Sequence, residues 1–369
     1  MMESLIRKAK ETMTAKERVR RTFAFEPTDR VTIGYDTNAA IHHRLCQALG
    51  IPNDDLLTLY QALGVDYAMI AAPYAGPQIY EELPGRYRLP ENGAVTRYVE
   101  NEYGAYYDFC DFPLKDVDSE VIAGYPFPDP DDYDYDAAID YLRTITDMGF
   151  AAHVGNPGLG DILNVTGMLM GVEDALVNLA TEDEATLAMT DRRIAGQLAV
   201  TERLLQKAGG LIDFMWIGED LGTQHTPIIS MDMYNRVIRP YHQKFIDLAK
   251  AYRIPIIIHT CGSSSWVYET LISMGMNGVD TLQPEADNMS PAYLAEHFGG
   301  RLSFRGCIST AGPLAYGTAA ETEKICRETL ETLMPCRGYH FAPTHQIQDN
   351  TPVENVIAMY QAAHTYGQY

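Results

Sequence analysis

The chain has 369 residues, 46% hydrophobic and 21% charged, a composition ordinary for a globular protein and a length sufficient for a large core. A formal charge of −22 argues against a nucleic-acid partner, and no apolar run is long enough to cross a bilayer. Six scattered cysteines read as free thiols, and Met1-Met2-Glu3-Ser4-Leu5-Ile6-Arg7-Lys8 lacks the apolar core of a signal peptide, so a cytoplasmic location is expected.

Thr14-Ala15-Lys16-Glu17 reads as a capping box, with a helix continuing through residues 18–25. Val31-Thr32-Ile33-Gly34-Tyr35 is a first strand. Helices are expected around residues 42–49 and 55–63. Asp66-Tyr67-Ala68-Met69-Ile70-Ala71 is a second strand. Residues 84–134 then break the pattern. A hairpin is expected around Pro90-Glu91-Asn92-Gly93, and the stretch ends in the proline-rich crossing Tyr125-Pro126-Phe127-Pro128-Asp129-Pro130. It reads as an insertion.

Further strands are expected at 150–155, 211–218, 255–260, 278–282, 301–306 and 338–342. Helices lie between them, for example 184–208, 231–252 and 321–334, and Ser290-Pro291 opens another. Eight strands alternating with helices predict a single α/β domain over residues 1–369. The expected fold is a (β/α)8 TIM barrel with an N-terminal helical extension and a hairpin-containing insertion after the second strand. A doubly wound sheet is the alternative, but no glycine-rich dinucleotide fingerprint follows the early strands.

Function in such a barrel sits at the C-terminal strand ends. Ile256-Ile257-Ile258-His259-Thr260-Cys261-Gly262 ends a buried strand in a histidine and a cysteine two positions apart, on one face. Two soft ligands there make half a zinc site. Glu285, Cys307 and His345 each follow a later strand, and any two of them could close a tetrahedron, or one could leave a position open for chemistry. The bland alternatives are a packed histidine, a buried thiol and solvated loop residues. Cys336 precedes the last strand and belongs at the opposite end of the barrel.

Glu219 and Asp220 follow the strand Phe214-Met215-Trp216-Ile217-Gly218 and are candidate catalytic acids or bases. Their plainer reading is charge stabilisation of the next helix. Tyr35, Asn156 and Gln224, at or near strand ends, are candidate substrate contacts for a small molecule. Core packing is the plainer reading for the tyrosine.

The chain resembles the uroporphyrinogen decarboxylase superfamily. The resemblance is carried by Asp220-Leu221-Gly222-Thr223-Gln224, by the segment from His259 to Gly262, and by Gln346-Ile347-Gln348-Asp349-Asn350-Thr351-Pro352 with the residues that follow. It implies a (β/α)8 barrel, often a homodimer. True decarboxylases of this kind work without metal and hold substrate carboxylates with an N-terminal arginine-rich motif and an aspartate near an early strand end. This chain has only isolated arginines there, such as Arg30 and Arg44, and alanine where that aspartate is expected.

The methylcobamide methyltransferase branch is more similar. Its members carry His-x-Cys and a late cysteine as zinc ligands, and a related methionine synthase barrel adds a glutamate. His259, Cys261 and Glu285 match those positions, and His345 stands where the late cysteine would be. The resemblance therefore implies a zinc-dependent methyltransferase. It would move a methyl group between a corrinoid carried by a partner protein and a thiol or other small molecule. The alternatives are a metal-independent tetrapyrrole decarboxylase and a non-enzymatic ligand-binding barrel.

Overall fold

The structure is a computed structural model that describes residues 6–369. Part of the N-terminal run read above, residues 1–5, lies outside the described residues. Eleven strands occur among the described residues: β1 Thr32–Ile33, β2 Tyr67–Ile70, β3 Tyr87–Arg88, β4 Val95–Glu100, β5 Ala105–Phe109, β6 Ala151–Val154, β7 Phe214–Gly218, β8 Ile256–His259, β9 Gly278–Leu282, β10 Ser303–Ile308 and β11 Tyr339–Pro343. Eight of them form one parallel sheet in the order β1-β11-β10-β9-β8-β7-β6-β2, and each coincides with an expected strand. With helices between consecutive strands, this is the (β/α)8 barrel. Nearly every strand residue is buried, as both faces of a barrel sheet must be.

The seam between β1 and β2 is closed chiefly by Asp66. Its backbone N–H donates to Ile33 O (2.9 Å), and its carboxylate accepts from Ile33 N (2.8 Å). The same carboxylate receives Arg18 Nη1 at 2.5 Å and Arg30 Nη1 at 2.7 Å, both arginines being buried.

The N-terminal end of the barrel is plugged by the helix Ala15–Phe23. Val19 and Phe23 pack on the inward-facing residues Tyr67, Phe214, Trp216 and Ile257. Thr14 caps this helix by accepting from Glu17 N, but Glu17 pairs with Arg21 (2.8 Å) instead of reaching back, so only half of the expected capping box forms.

Two local differences from the sequence reading have simple causes. The expected helix over 231–252 is interrupted by a wide π turn, Tyr234–Ile238, just before Pro240, which has no N–H to donate to the preceding turn. The expected hairpin is present, with Tyr87 opposite Thr96 and Arg88 opposite Val95, but a third strand, β5, extends it into an antiparallel sheet. Asn101 makes that second turn, its Oδ1 accepting from Tyr103 N and Gly104 N. Much of β4 and β5 is solvent-exposed, so no apolar alternation announced the pairing. Among the described residues no helix is long and apolar enough to cross a membrane.

Candidate metal centre and cavity

Strand alternation places Ile257 and His259 on the inward face of β8, Ile257 near the plugged end and His259 at the open mouth. The chain then turns sharply. Gly262 has φ +69°, and a Cβ there would meet Gly222 O at 2.2 Å, while a Cβ on Gly222 would meet Ser263 N at 2.5 Å. These two glycines let the loops after β7 and β8 lie on one another. The contact sets Asp220 Oδ1 on Cys261 N (2.9 Å) and 3.8 Å from His259 Nε2.

His259 Nε2 and Cys261 Sγ are 3.5 Å apart. The His345 ring, just beyond β11, meets the His259 ring edge-on at 5.5 Å. The ligand atoms of His259, Cys261 and His345 all lie within 4.8 Å of one another. Two imidazoles and a thiolate suit a borderline-soft ion such as zinc, and three protein ligands leave a position free for chemistry.

The ring of His259 is fixed from behind. Its Nδ1 contacts Asp280 Oδ2 (3.0 Å) and Thr281 Oγ1. Thr281 has φ +62°, unusual for a β-branched residue, where the pairing of β9 with β10 slips by one residue. This bulge brings two consecutive side chains to one histidine. Asp280 in turn takes Arg305 Nη1 at 2.7 Å, and Arg305 also donates to Tyr67 OH (2.7 Å) and to Asp36, with its guanidinium over the Trp216 ring at 4.3 Å. Burial works against ionising Asp280, yet Arg305 and His259 hold its carboxyl well below the usual range. A charged Asp280 holds the proton on Nδ1 and leaves Nε2 free to ligate, the arrangement by which a carboxylate orients a metal-bound histidine. Burial, and then Asp220, push the Cys261 thiol up. A bound cation would reverse that shift.

A cavity of about 660 Å³ opens beside the triad. His259, His345 and Asp220 line one end, Asn156, Asn164 and Arg193 contribute polar groups, and Leu89 and Phe109 of the inserted sheet form part of the wall.

The remaining sequence candidates stand elsewhere. Glu285 is exposed in a turn closed by Ala286 N on Gln283 O, and it does not join the triad. Cys307 is buried in the main core, where burial and then Glu285 push its thiol up. Tyr35 faces the helix layer, its OH on His42 Nδ1 (2.7 Å) and its ring beside Tyr60, whereas its neighbour Asp36 points inward to Arg305. Gln224 is exposed and does not line the cavity. Asn156 does line it, with Oδ1 accepting from Gly158 N (2.8 Å).

Glu219 and Asp220, adjacent in sequence, part company. Asp220 faces the cavity, while Glu219 is fully buried on the other side, accepting from Ile162 N (2.8 Å) and Leu163 N (2.9 Å) at the start of the helix Leu163–Met170. It supplies acceptors to the first turn of a helix that precedes it in the chain, not to the next helix as the sequence reading had it. Burial pushes its carboxyl up from 4.5 to about 8, against the pull of those two N–H groups. Between these values the unfolded chain loses a proton that the folded chain keeps. This contribution to stability is therefore full below 4.5 and is lost as pH rises through about 8. Relative to Glu219→Gln, the wild-type unfolding free energy should fall by up to about 1.4 kcal/mol per pH unit across that window. Parallel denaturation profiles for the two proteins would contradict this assignment.

Asp280, Thr281, Arg305 and Arg193 were not read from the sequence. For Asp280 and Arg305 a signal existed: the one charged residue inside a short strand.

Residues 208–366 match the model of the family "Uroporphyrinogen decarboxylase (URO-D)". The matched stretch, a little under half of the chain, holds His259, Cys261 and His345. No curated protein matches it by sequence. Among solved structures it is similar to a methyltransferase from Methanosarcina mazei, at 16% identity and a TM-score of 0.64, covering 95% of this chain and 98% of that one. An endo-1,4-beta-xylanase from Penicillium canescens is matched at 9% identity and a TM-score of 0.41, covering 68% of this chain and 86% of that one.

Proposed function

We propose that the protein is a zinc-dependent methyltransferase, moving a methyl group between a corrinoid held by a partner protein and a thiol or other small molecule. The observation that carries this reading is the convergence of His259, Cys261 and His345 beside a ligand-sized cavity at the mouth of the barrel. The likeness in fold to the Methanosarcina methyltransferase, over nearly the whole of both chains, supports it.

In this proposal His259, Cys261 and His345 hold the metal, and Asp280 with Arg305 keeps the His259 ring in place. A bound zinc ion supplies positive charge that stabilises an acceptor thiolate, or polarises a methoxy oxygen if the protein loads the corrinoid instead. Asp220, on the cavity side of the triad, accepts the proton of the incoming acceptor. The apolar walls keep water from competing. A homodimer and a corrinoid-carrying partner belong to the same proposal.

The decarboxylase alternative calls for several basic groups around a polyanion, and Arg193 is the one lysine or arginine on the cavity wall among the described residues. Metal analysis tests the proposal. The purified chain should contain about one zinc ion per protomer, removable by a chelator and restored by added zinc. A folded chain that takes up no zinc would refute it.

A further inference from the structure

Arg193 lies in the helix Glu184–Ala208 and is only 3% exposed, yet it borders the cavity. Its Nη2 donates to the backbone oxygen of Asp161. Nε and Nη1 have no hydrogen-bond partner, and no carboxylate forms an ion pair with the group among the described residues. Buried guanidinium groups are normally paired and fully hydrogen-bonded, because leaving either need unmet is costly.

The acids in its neighbourhood are already engaged. Asp161 Oδ1 accepts from Asn164 N (2.8 Å) and Val165 N (3.2 Å), and its Oδ2 accepts from the Asn164 side chain (2.8 Å). Glu219 is taken by Ile162 N and Leu163 N. Both carboxylates serve the start of one helix, whose dipole offsets their charge. Burial also pushes both carboxyls up, Asp161 well above its usual value, which diminishes the compensation they offer Arg193. Much of the remaining wall is apolar, with Met69, Ile70, Phe127 and Met168 among its members.

We infer that the cavity takes a small molecule with an apolar body and one oxyanion end group, such as a carboxylate, and that Arg193 is the residue that binds that end. That the other end is the reacting one rests on the methyl-transfer proposal. The anion contact itself does not.

The test is calorimetric titration of the full-length chain with phenylbutyrate and with its neutral amide. A hydrogen-bonded charge contact should make the acid bind at least about 10-fold more tightly than the amide. Arg193→Gln should abolish the preference, and Arg193→Lys, which keeps the charge, should retain part of it. Zinc content should be unchanged in both variants. Cys261→Ser should retain the preference while losing zinc, so failure of the metal reading and failure of this one are separable. Equal affinity for acid and amide in the wild type, a preference that survives in Arg193→Gln, or no binding of either compound at millimolar concentration would each overturn the inference. Should Arg193→Gln not fold, the wild-type comparison and Arg193→Lys decide it.

Discussion

Replacing Cys261 by serine should abolish stoichiometric zinc binding and, with it, any methyl transfer. The variant removes the one thiolate from a three-residue cluster, leaving two imidazoles that cannot hold zinc alone against competing chelators. Loss of an outer-shell partner typically lowers metal affinity 10–100-fold, and loss of a direct ligand should exceed that, at more than about 100-fold. The fold should survive, because Cys261 sits in a loop at the barrel mouth and its backbone N–H keeps its bond to Asp220. Glu285→Gln is the informative control. A glutamate is expected at this position by resemblance, but the structure places Glu285 at an exposed turn outside the cluster, so zinc affinity should stay within a few-fold of wild type. Competition titrations against a chromogenic chelator measure both. Equal losses in the two variants would mean that Glu285 moves in to ligate and that the three-residue site is wrongly drawn.

Asp66→Ala should be among the most destabilising single changes in the chain. It leaves Arg18 and Arg30 buried at the β1–β2 seam without the carboxylate they share, and removes the acceptor of Ile33 N. Breaking a buried ion pair by deleting one partner costs about 3–5 kcal/mol. The lower end applies here, since Arg18 retains Asp29 at 2.7 Å and Arg30 retains Glu11 at 2.7 Å. Even about 3 kcal/mol is a large share of the 5–15 kcal/mol that ordinarily separates folded from unfolded protein. A lowered denaturant midpoint, with zinc content per folded chain unchanged, is the expected result. An unaltered midpoint would show that the seam is held by its backbone contacts and the helix layer instead.

The barrel was legible because its strands are short, mostly apolar runs separated by helical segments, and all eight were placed. His259 and Cys261 were legible for the same reason: their strand ends visibly, and ligands two apart share a face. His345 was reached by counting one strand to the end of the barrel. The reading failed where the face of a side chain had to be chosen. In a barrel both faces of each strand are buried, so the apolar pattern does not say which is inside. Glu219 and Asp220 look alike in sequence, yet one caps a helix and the other lines the cavity. Tyr35 and Asp36 divide in the same way, with the tyrosine among the helices and the aspartate on Arg305.

The sequence by itself determined the order of strands and helices, and it placed His259 and Cys261 together at the end of one strand, because each follows from local periodicity and spacing. Only the tertiary structure decided which residue completes the cluster, how Asp280 and Arg305 stand behind His259, and that Arg193 reaches the cavity with two donors unused. These are contacts between strands and helices far apart in the chain. The bulge at Thr281, which brings its hydroxyl to His259, takes its direction from the strand packed beside it.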